Sequence, residues 1–272
     1  MPLLSAMRLM IGFGGLVGVM ALEAVWPRRE LLSPRGPRLA TNFALMSSNA
    51  LVLSGLLGGA LVSAYRSLEL QRTGLLHVLG IGSWANVLLT VVLLDAVTYG
   101  WHVAYHRIPL MWRLHRVHHT DLELDVTSSG RFHLTEMALS ALFRLGVIAL
   151  AGADLASVVV FEIVFGIFNQ LEHANLDIPE PYDRWLRSVV VTPAMHQVHH
   201  SQVKAETNSN FGTIFSCWDR LFGTYRVRQD RRALVVGLPE YPGAQDVTME
   251  KVLALPFGPP CAAAETLARL AG

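Results

Sequence analysis

Long apolar runs separated by short charged links dominate the chain. Residues 9–25 are apolar and lack charge until Glu23, and residues 39–65 form an uncharged run with Arg38 and Arg66 at its ends. Residues 84–106 form a third run with one carboxylate, Asp95, in its middle. Crossing a hydrocarbon core takes a helix of about 20 residues, and each run is long enough. Residues 134–173 are about twice that length and are interrupted at Ala151-Gly152-Ala153-Asp154, which predicts a tight helical hairpin. From Asp177 onward the chain is more polar and carries short amphipathic pieces. Thr192-Pro193 predicts an N-cap followed by an N1 proline, hence a short helix through His196–His200. Pro109 predicts the start of a similar helix running to His119. The expected fold is all-α: an integral membrane helical bundle of about four to five transmembrane or hairpin helices under a cytoplasmic histidine-rich helical cap. Residues 1–83 read as N-terminal anchor helices, 84–228 as the catalytic unit and 229–272 as a tail without a usable motif.

Composition supports the membrane reading. Of the 272 residues, 52% are apolar and only 16% charged, whereas a soluble domain has about 25% charged residues. A net charge of +1 gives no electrostatic case for nucleic acid. Cys217 and Cys261 make no metal or redox spacing and read as ordinary thiols. The N-terminal run ends at Pro27-Arg28-Arg29-Glu30 without a small-residue cleavage site, which reads as an anchor rather than a removed signal peptide. Arg28, Arg29, Arg35 and Arg38 lie between the first two runs. Arg107, Arg113, Arg116 and Arg131 follow the third, and the tail adds Arg184, Arg187, Lys204, Arg220 and Arg226. The link after the second run has only Arg66 and Arg72. The positive-inside rule then places the first link, residues 107–131 and the tail in the cytoplasm, with the N-terminus outside. Five crossings satisfy this arithmetic; a shallow hairpin that never fully crosses satisfies it too.

The chemistry lies in the histidines, ten of whose eleven fall between His102 and His200. They form His102-Val-Ala-Tyr-His106, His115-Arg-Val-His118-His119 and His196-Gln-Val-His199-His200, with His133 and His173 alone between the second and third groups. Helical residues at i, i+3 and i+4 share a face, so each group presents several imidazole nitrogens to one side. Neutral imidazole is the commonest metal-binding side chain. Ten candidates exceed the capacity of one ion; two ions with four or five nitrogens each would use them all. Imidazole suits zinc, copper, iron and nickel, so ligand type alone leaves the metal open. A closed zinc site often includes cysteine, and neither cysteine lies within a histidine group. The Glu-x-x-His pattern of carboxylate-rich di-iron bundles is absent. A single histidine is more often a surface or core residue than a ligand. His77, with no partner at ligand spacing, is read that way.

Asp95, Tyr99, His102 and His106 follow one another at helical steps and line one stripe. A carboxylate at mid-bilayer is costly and suggests function. Asp95 either orients a ligand imidazole, through Tyr99 or water, or pairs with a neighbouring helix.

The order His-x-x-x-His, His-x-x-His-His, His-x-x-His-His resembles the fatty acid hydroxylase superfamily, also called the sterol desaturase family. Leu114-His115-Arg116-Val117-His118-His119, Arg131-Phe132-His133, His173-Ala174-Asn175 and Trp218-Asp219-Arg220-Leu221-Phe222-Gly223-Thr224 read like its usual context. The likeness covers residues 95–225, and it departs at Leu134, where a proline often follows the histidine. The resemblance implies a multi-pass membrane enzyme with two non-haem iron ions and with dioxygen as co-substrate. It also implies electrons from an external reductase chain, and hydroxylation or desaturation of a lipid: a fatty acyl chain, sterol or hopanoid, carotenoid or ether lipid. His133 and His173 fall where the family tends to have further ligands. No glycine-rich flavin or nicotinamide fingerprint is visible, so electrons are expected from a separate carrier. Two other classes fit a histidine-rich metal site. A membrane zinc hydrolase would activate water, but the His-Glu-x-x-His arrangement is missing. A metal transporter or sensor would place its site near the midplane, whereas most histidines here lie outside the apolar runs.

Overall fold

The computed structural model describes residues 2–31, 35–230 and 233–258. The protein is all-helical among these residues apart from isolated bridges. Helix α1 (Pro2–Val25) is followed by α2 (Arg35–Leu53), which continues through one wide turn at Ser54–Gly58 into α3 (Gly59–Gln71). A short α4 (Leu75–Val78) leads into α5 (Ser83–Arg107) and α6 (Pro109–His119). The hairpin expected over residues 134–173 is present as α7 (Leu134–Ala151) and α8 (Leu155–His173). The remaining helices are short: α9 (Glu180–Leu186), α10 (Pro193–His199), α11 (Lys204–Thr207), α12 (Cys217–Leu221) and α13 (Met249–Ala254).

Among the described residues, four helices are long and apolar enough to cross a membrane: Arg35–Leu56, Ser83–Arg107, Leu134–Ala151 and Leu155–His173. The apolar piece Met10–Val25 of α1 is shorter. Many of their side chains, such as Leu51, Leu88, Leu142 and Leu150, are exposed on the protein surface, as lipid-facing residues are. The bundle packs α5 and α1 against α8. Leu94, Ile148, Val158, Phe161 and Ile214 form one core cluster.

The two ends of the bundle differ in chemistry. At one end the link before α4 meets the α7–α8 turn. Gly152 caps α7 in the left-handed conformation (φ 71°), Asp154 caps α8 by accepting from the Ser157 amide, and His77 Nδ1 donates to the Gly152 carbonyl (2.7 Å). That bond gives the isolated histidine a capping role. At the other end lie the C-termini of α5 and α8, the N-terminus of α7 and the arginine-rich link before α2. There Arg38 pairs with Asp121 (3.0 Å) and with Asp125. Asp121 also accepts from Asn42 (3.0 Å) and Ser128 (2.7 Å). Burial alone would raise the Asp121 pKa, but Arg38, Arg131 and these hydrogen bonds outweigh it and hold the carboxyl below its ordinary value. Arg131, almost fully buried, donates to the Val117 carbonyl, Asn42 and Thr120, tying α6 to α2. The described part of the C-terminal segment closes over the same end. Val252 and Leu255 pack on Leu45 and Val117, and Arg113 and Arg116 donate to the carbonyls of Pro256 and Leu255.

A Cβ on Gly152 would lie 2.6 Å from the Thr73 carbonyl oxygen, at a φ that L residues rarely adopt. Gly152→Ala should therefore cost about 1–3 kcal/mol. Thermal unfolding in detergent checks this: a lowered midpoint is expected, and an unchanged one would show that the turn relaxes freely.

Candidate metal centre

Nine histidines converge at the polar end. Helix α6 begins at Pro109 and α10 at Pro193, the latter capped by Thr192 accepting from the Met195 amide, as the sequence pattern predicts. Each short helix splits its motif between two groups. His115 and His119 join His102, His106 and His199; His196 and His200 join His118 and His173. In each His-x-x-His-His, the i, i+4 pair serves one group and the middle histidine crosses to the other. Within each group the potential ligand atoms lie within 4.8 Å of one another. The two groups touch, with the His119 and His200 rings stacked at 4.5 Å.

Hydrogen bonds on the far side of the rings fix which nitrogen faces inward. His102 Nδ1 lies 2.9 Å from the Phe211 carbonyl, His199 Nδ1 2.8 Å from that of Ser209, and His173 Nδ1 2.7 Å from that of Asn169. A carbonyl can only accept, so each Nδ1 carries the proton and each Nε2 of the neutral ring presents a lone pair. His115 Nδ1 contacts Glu136 Oε1 at 2.6 Å, and its Nε2 lies 3.1 Å from His102 Nε2. In the second group His173 Nε2 lies 3.0 Å from His118 Nε2 and 3.1 Å from His196 Nε2, and His196 Nε2 lies 3.1 Å from His200 Nε2. The His173 nitrogen has no proton to share with these neighbours, so its lone pair takes either an N–H from one of their rings or a metal ion. Several buried nitrogens have no hydrogen-bond partner, including His106 Nε2, His199 Nε2 and both nitrogens of His119.

This donor set fits metal ions. Nitrogens at right angles on one ion, each about 2.1 Å from it, stand about 3.0 Å apart, against about 3.4 Å at the tetrahedral angle. The observed spacings of 3.0–3.1 Å match the right-angled value. Burial, reinforced by neighbouring rings, pushes the pKa values of His115, His118, His119, His196, His199 and His200 well below 6.5, so these rings stay neutral and available as ligands.

His133 stands outside both groups. Its Nδ1 accepts from the Thr135 amide as the N-cap of α7, and its Nε2 lies 3.2 Å from the Leu253 carbonyl. Neither nitrogen is left for a metal. Asp95 does not touch the histidines. It accepts from the amides of Ile214 and Phe215 and from the Trp218 indole. Tyr99 hydrogen-bonds Thr224 and packs edge-on against Phe211. Both therefore reach the site indirectly, through the segment whose Phe211 carbonyl holds His102.

Three carboxylates that the histidine spacing does not reveal support the rings. Glu136 contacts His115. Glu172, also buried, places Oε2 3.6 Å from His196 Nδ1 and Oε1 3.8 Å from His173 Nδ1. Asp219 accepts from the Phe211 and Gly212 amides and so fixes the carbonyl that orients His102. Glu136 and Glu172 sit at opposite ends of the apolar run 134–173, and an ionisable residue in such a run is itself a signal. Phe132, stacked on His118 at 4.3 Å, and Phe211, edge-on to His102, His106 and His199, help close the site to water.

Residues 87–224 match the family profile described as fatty acid hydroxylase. The chain belongs to this family. Among its relatives, an ornithine lipid hydroxylase of Rhizobium tropici is 33% identical over 145 residues, covering 52% of this chain and 41% of that protein. A cholesterol 25-hydroxylase of Rattus norvegicus is 26% identical, covering 56% of this chain and 51% of the relative. An alkylglycerol monooxygenase of Danio rerio is 24% identical, covering 60% and 35%. The chain thus spans about half the length, or less, of these curated relatives. No solved structure matches it.

Two predictions follow from the geometry. Glu136→Gln should lower metal affinity about 10–100-fold, the usual effect of losing a carboxylate behind a ligand imidazole, whereas His133→Ala should leave metal content unchanged. Metal analysis after graded chelation separates them; metal loss in His133→Ala would return that residue to the ligand set. In metal-free protein the buried rings stay neutral below pH 6.5 while the unfolded chain takes up protons. Folding stability is then fully present above the unfolded value and falls as pH drops below it, so the thermal midpoint at about pH 5.5 should lie under that at about pH 7.5. Equal midpoints would contradict neutral burial.

Proposed function

We propose that the protein is a membrane-bound, non-haem di-iron oxygenase that hydroxylates a lipid with dioxygen and electrons from a separate carrier. The observation that carries this reading is the convergence of nine imidazoles, five in one group and four in the other, with the potential ligand atoms of each group within 4.8 Å of one another. Two iron ions held there would supply the redox chemistry that couples reduction of dioxygen to oxidation of an unactivated C–H bond. In the overall balance the lipid gains one oxygen atom, the other leaves as water, and two electrons and two protons are consumed.

This chain's own residues provide the frame. His102, His106, His115, His119 and His199 would hold one ion, and His118, His173, His196 and His200 the other. Glu136 and Glu172 offset part of the positive charge that nine neutral rings leave uncompensated. Phe211, Phe132 and Trp112 limit water around the rings. An apolar substrate would arrive from the bilayer between the helices. Family relatives named as ornithine lipid, sterol and alkylglycerol oxygenases support a lipid substrate and favour hydroxylation over desaturation. The arginines of the α1–α2 link lie at the histidine end, and the positive-inside rule puts that end in the cytoplasm.

Lipid mass spectrometry of cells with and without the protein tests the reading: a lipid that gains one oxygen atom is expected. His118→Ala and His199→Ala, one from each group, should abolish that product and lower bound iron. Purified protein that holds two zinc ions and turns over without oxygen would favour a hydrolase instead.

A further inference from the structure

Helix α5 has 25 residues, about 37 Å at 1.5 Å per residue, against a hydrocarbon core of about 30 Å. Asp95 lies twelve residues from either end, Ser83 or Arg107, at the midpoint of the helix. There its carboxylate accepts from the amides of Ile214 and Phe215 (3.1 Å each) and from the Trp218 indole (2.7 Å). One turn further on, Tyr99 stacks on Phe222 at 5.4 Å and meets the Thr224 hydroxyl at 2.8 Å. Residues 214–224 therefore follow α5 from its midpoint toward its histidine end. Ile214 also packs in one cluster with Leu94 and Phe161 of the spanning helices.

Non-helical backbone is tolerated at membrane depth only where the protein satisfies its polar groups. Here it does. Asp95 and Asp219 each take two amides, the Ile214 carbonyl accepts from Val191, and Phe215 bridges to Val190. The Ser216 amide donates to the Val189 carbonyl, which fastens the residues after α9 to the start of α12. Apolar side chains dominate the outer surface of this pair of segments, with Ser188 and Arg220 exposed beside them; the Arg220 guanidinium donates to the Ser216 and Arg187 carbonyls and lies over the Tyr225 ring. Trp185 is 72% exposed, Val189 58%, Leu221 69% and Phe222 63%.

We propose that residues 185–189 and 217–222 form a re-entrant element within the lipid leaflet on the histidine side, with Trp185, Val189, Leu221 and Phe222 packed against acyl chains. Lipid is the occupant because the element is fastened to the middle of a spanning helix, where neighbouring Leu88 and Val92 are themselves exposed. Arg184, beside Trp185, reaches the headgroups along its aliphatic stem. The inference rests on the membrane placement of α5 and is independent of the reaction.

Nitroxide labels at Val189→Cys and Leu221→Cys test it, with both native cysteines replaced by serine and the full chain in phosphatidylcholine nanodiscs. Leu88→Cys on α5 is the lipid reference and Val235→Cys, in the C-terminal segment, the aqueous one. Both test labels should resemble the lipid reference, relaxing several-fold more with oxygen than with a water-soluble nickel chelate. Either label matching the aqueous reference overturns the proposal. Quenching by bromine-labelled acyl chains, taken as the difference between the native protein and Trp185→Phe, needs no label. A clear Trp185 contribution is expected, and no difference overturns the proposal.

Discussion

At the polar end of this protein four pairs of imidazole nitrogens stand about 3 Å apart, and bare nitrogens occur in three of them. They arise because backbone carbonyls of Phe211, Ser209 and Asn169 take the far-side protons of His102, His199 and His173 and leave the inward nitrogens bare. Inward lone pairs of this kind suit metal ions. The splitting of each His-x-x-His-His between two groups is what sets the two candidate sites side by side, since the middle histidine of each short helix reaches across to the other group.

The rest of this end is built to hold those rings in place. Asp121 and Arg131 tie α6 to α2 and to the turn at Val126–Gly130, so the helix carrying His115, His118 and His119 is anchored from behind. A carboxylate approaches each group, Glu136 from the start of α7 beside His115 and Glu172 from the end of α8 beside His196 and His173. Four positive charges from two divalent ions would be costly to bury among neutral ligands alone, and these two acids lower that cost. The segment after residue 229, which carries no chemical motif, contributes by packing: Val252 and Leu255 cover Val117.

The same economy explains Asp95. A lone carboxylate at the middle of a membrane helix is expensive, yet three donors surround it. It allows non-helical chain to lie against α5 below the histidines, and that chain supplies the Phe211 carbonyl that orients His102. An acid eleven residues before the last ligand of its helix thus bears on ligand geometry through backbone rather than through direct contact.

The sequence alone settled what depends on local periodicity and chemical type. Apolar runs of spanning length, the break at Gly152, the proline starts of α6 and α10 and the recurring histidine spacing each follow from neighbours within a few residues. They were legible for that reason. The motif's likeness to a family was legible too, because it is a pattern of order. What only the tertiary structure decided involves distant partners. It separated nine histidines from His133, whose two nitrogens are taken by Thr135 and Leu253. It divided the nine into five and four, although helical spacing alone puts each triplet on one face. It also found Glu172 and Asp219 behind the rings and turned Asp95 from a candidate site residue into a support for backbone. Spacing shows which side chains can face the same way; only the packed chain shows what stands opposite them.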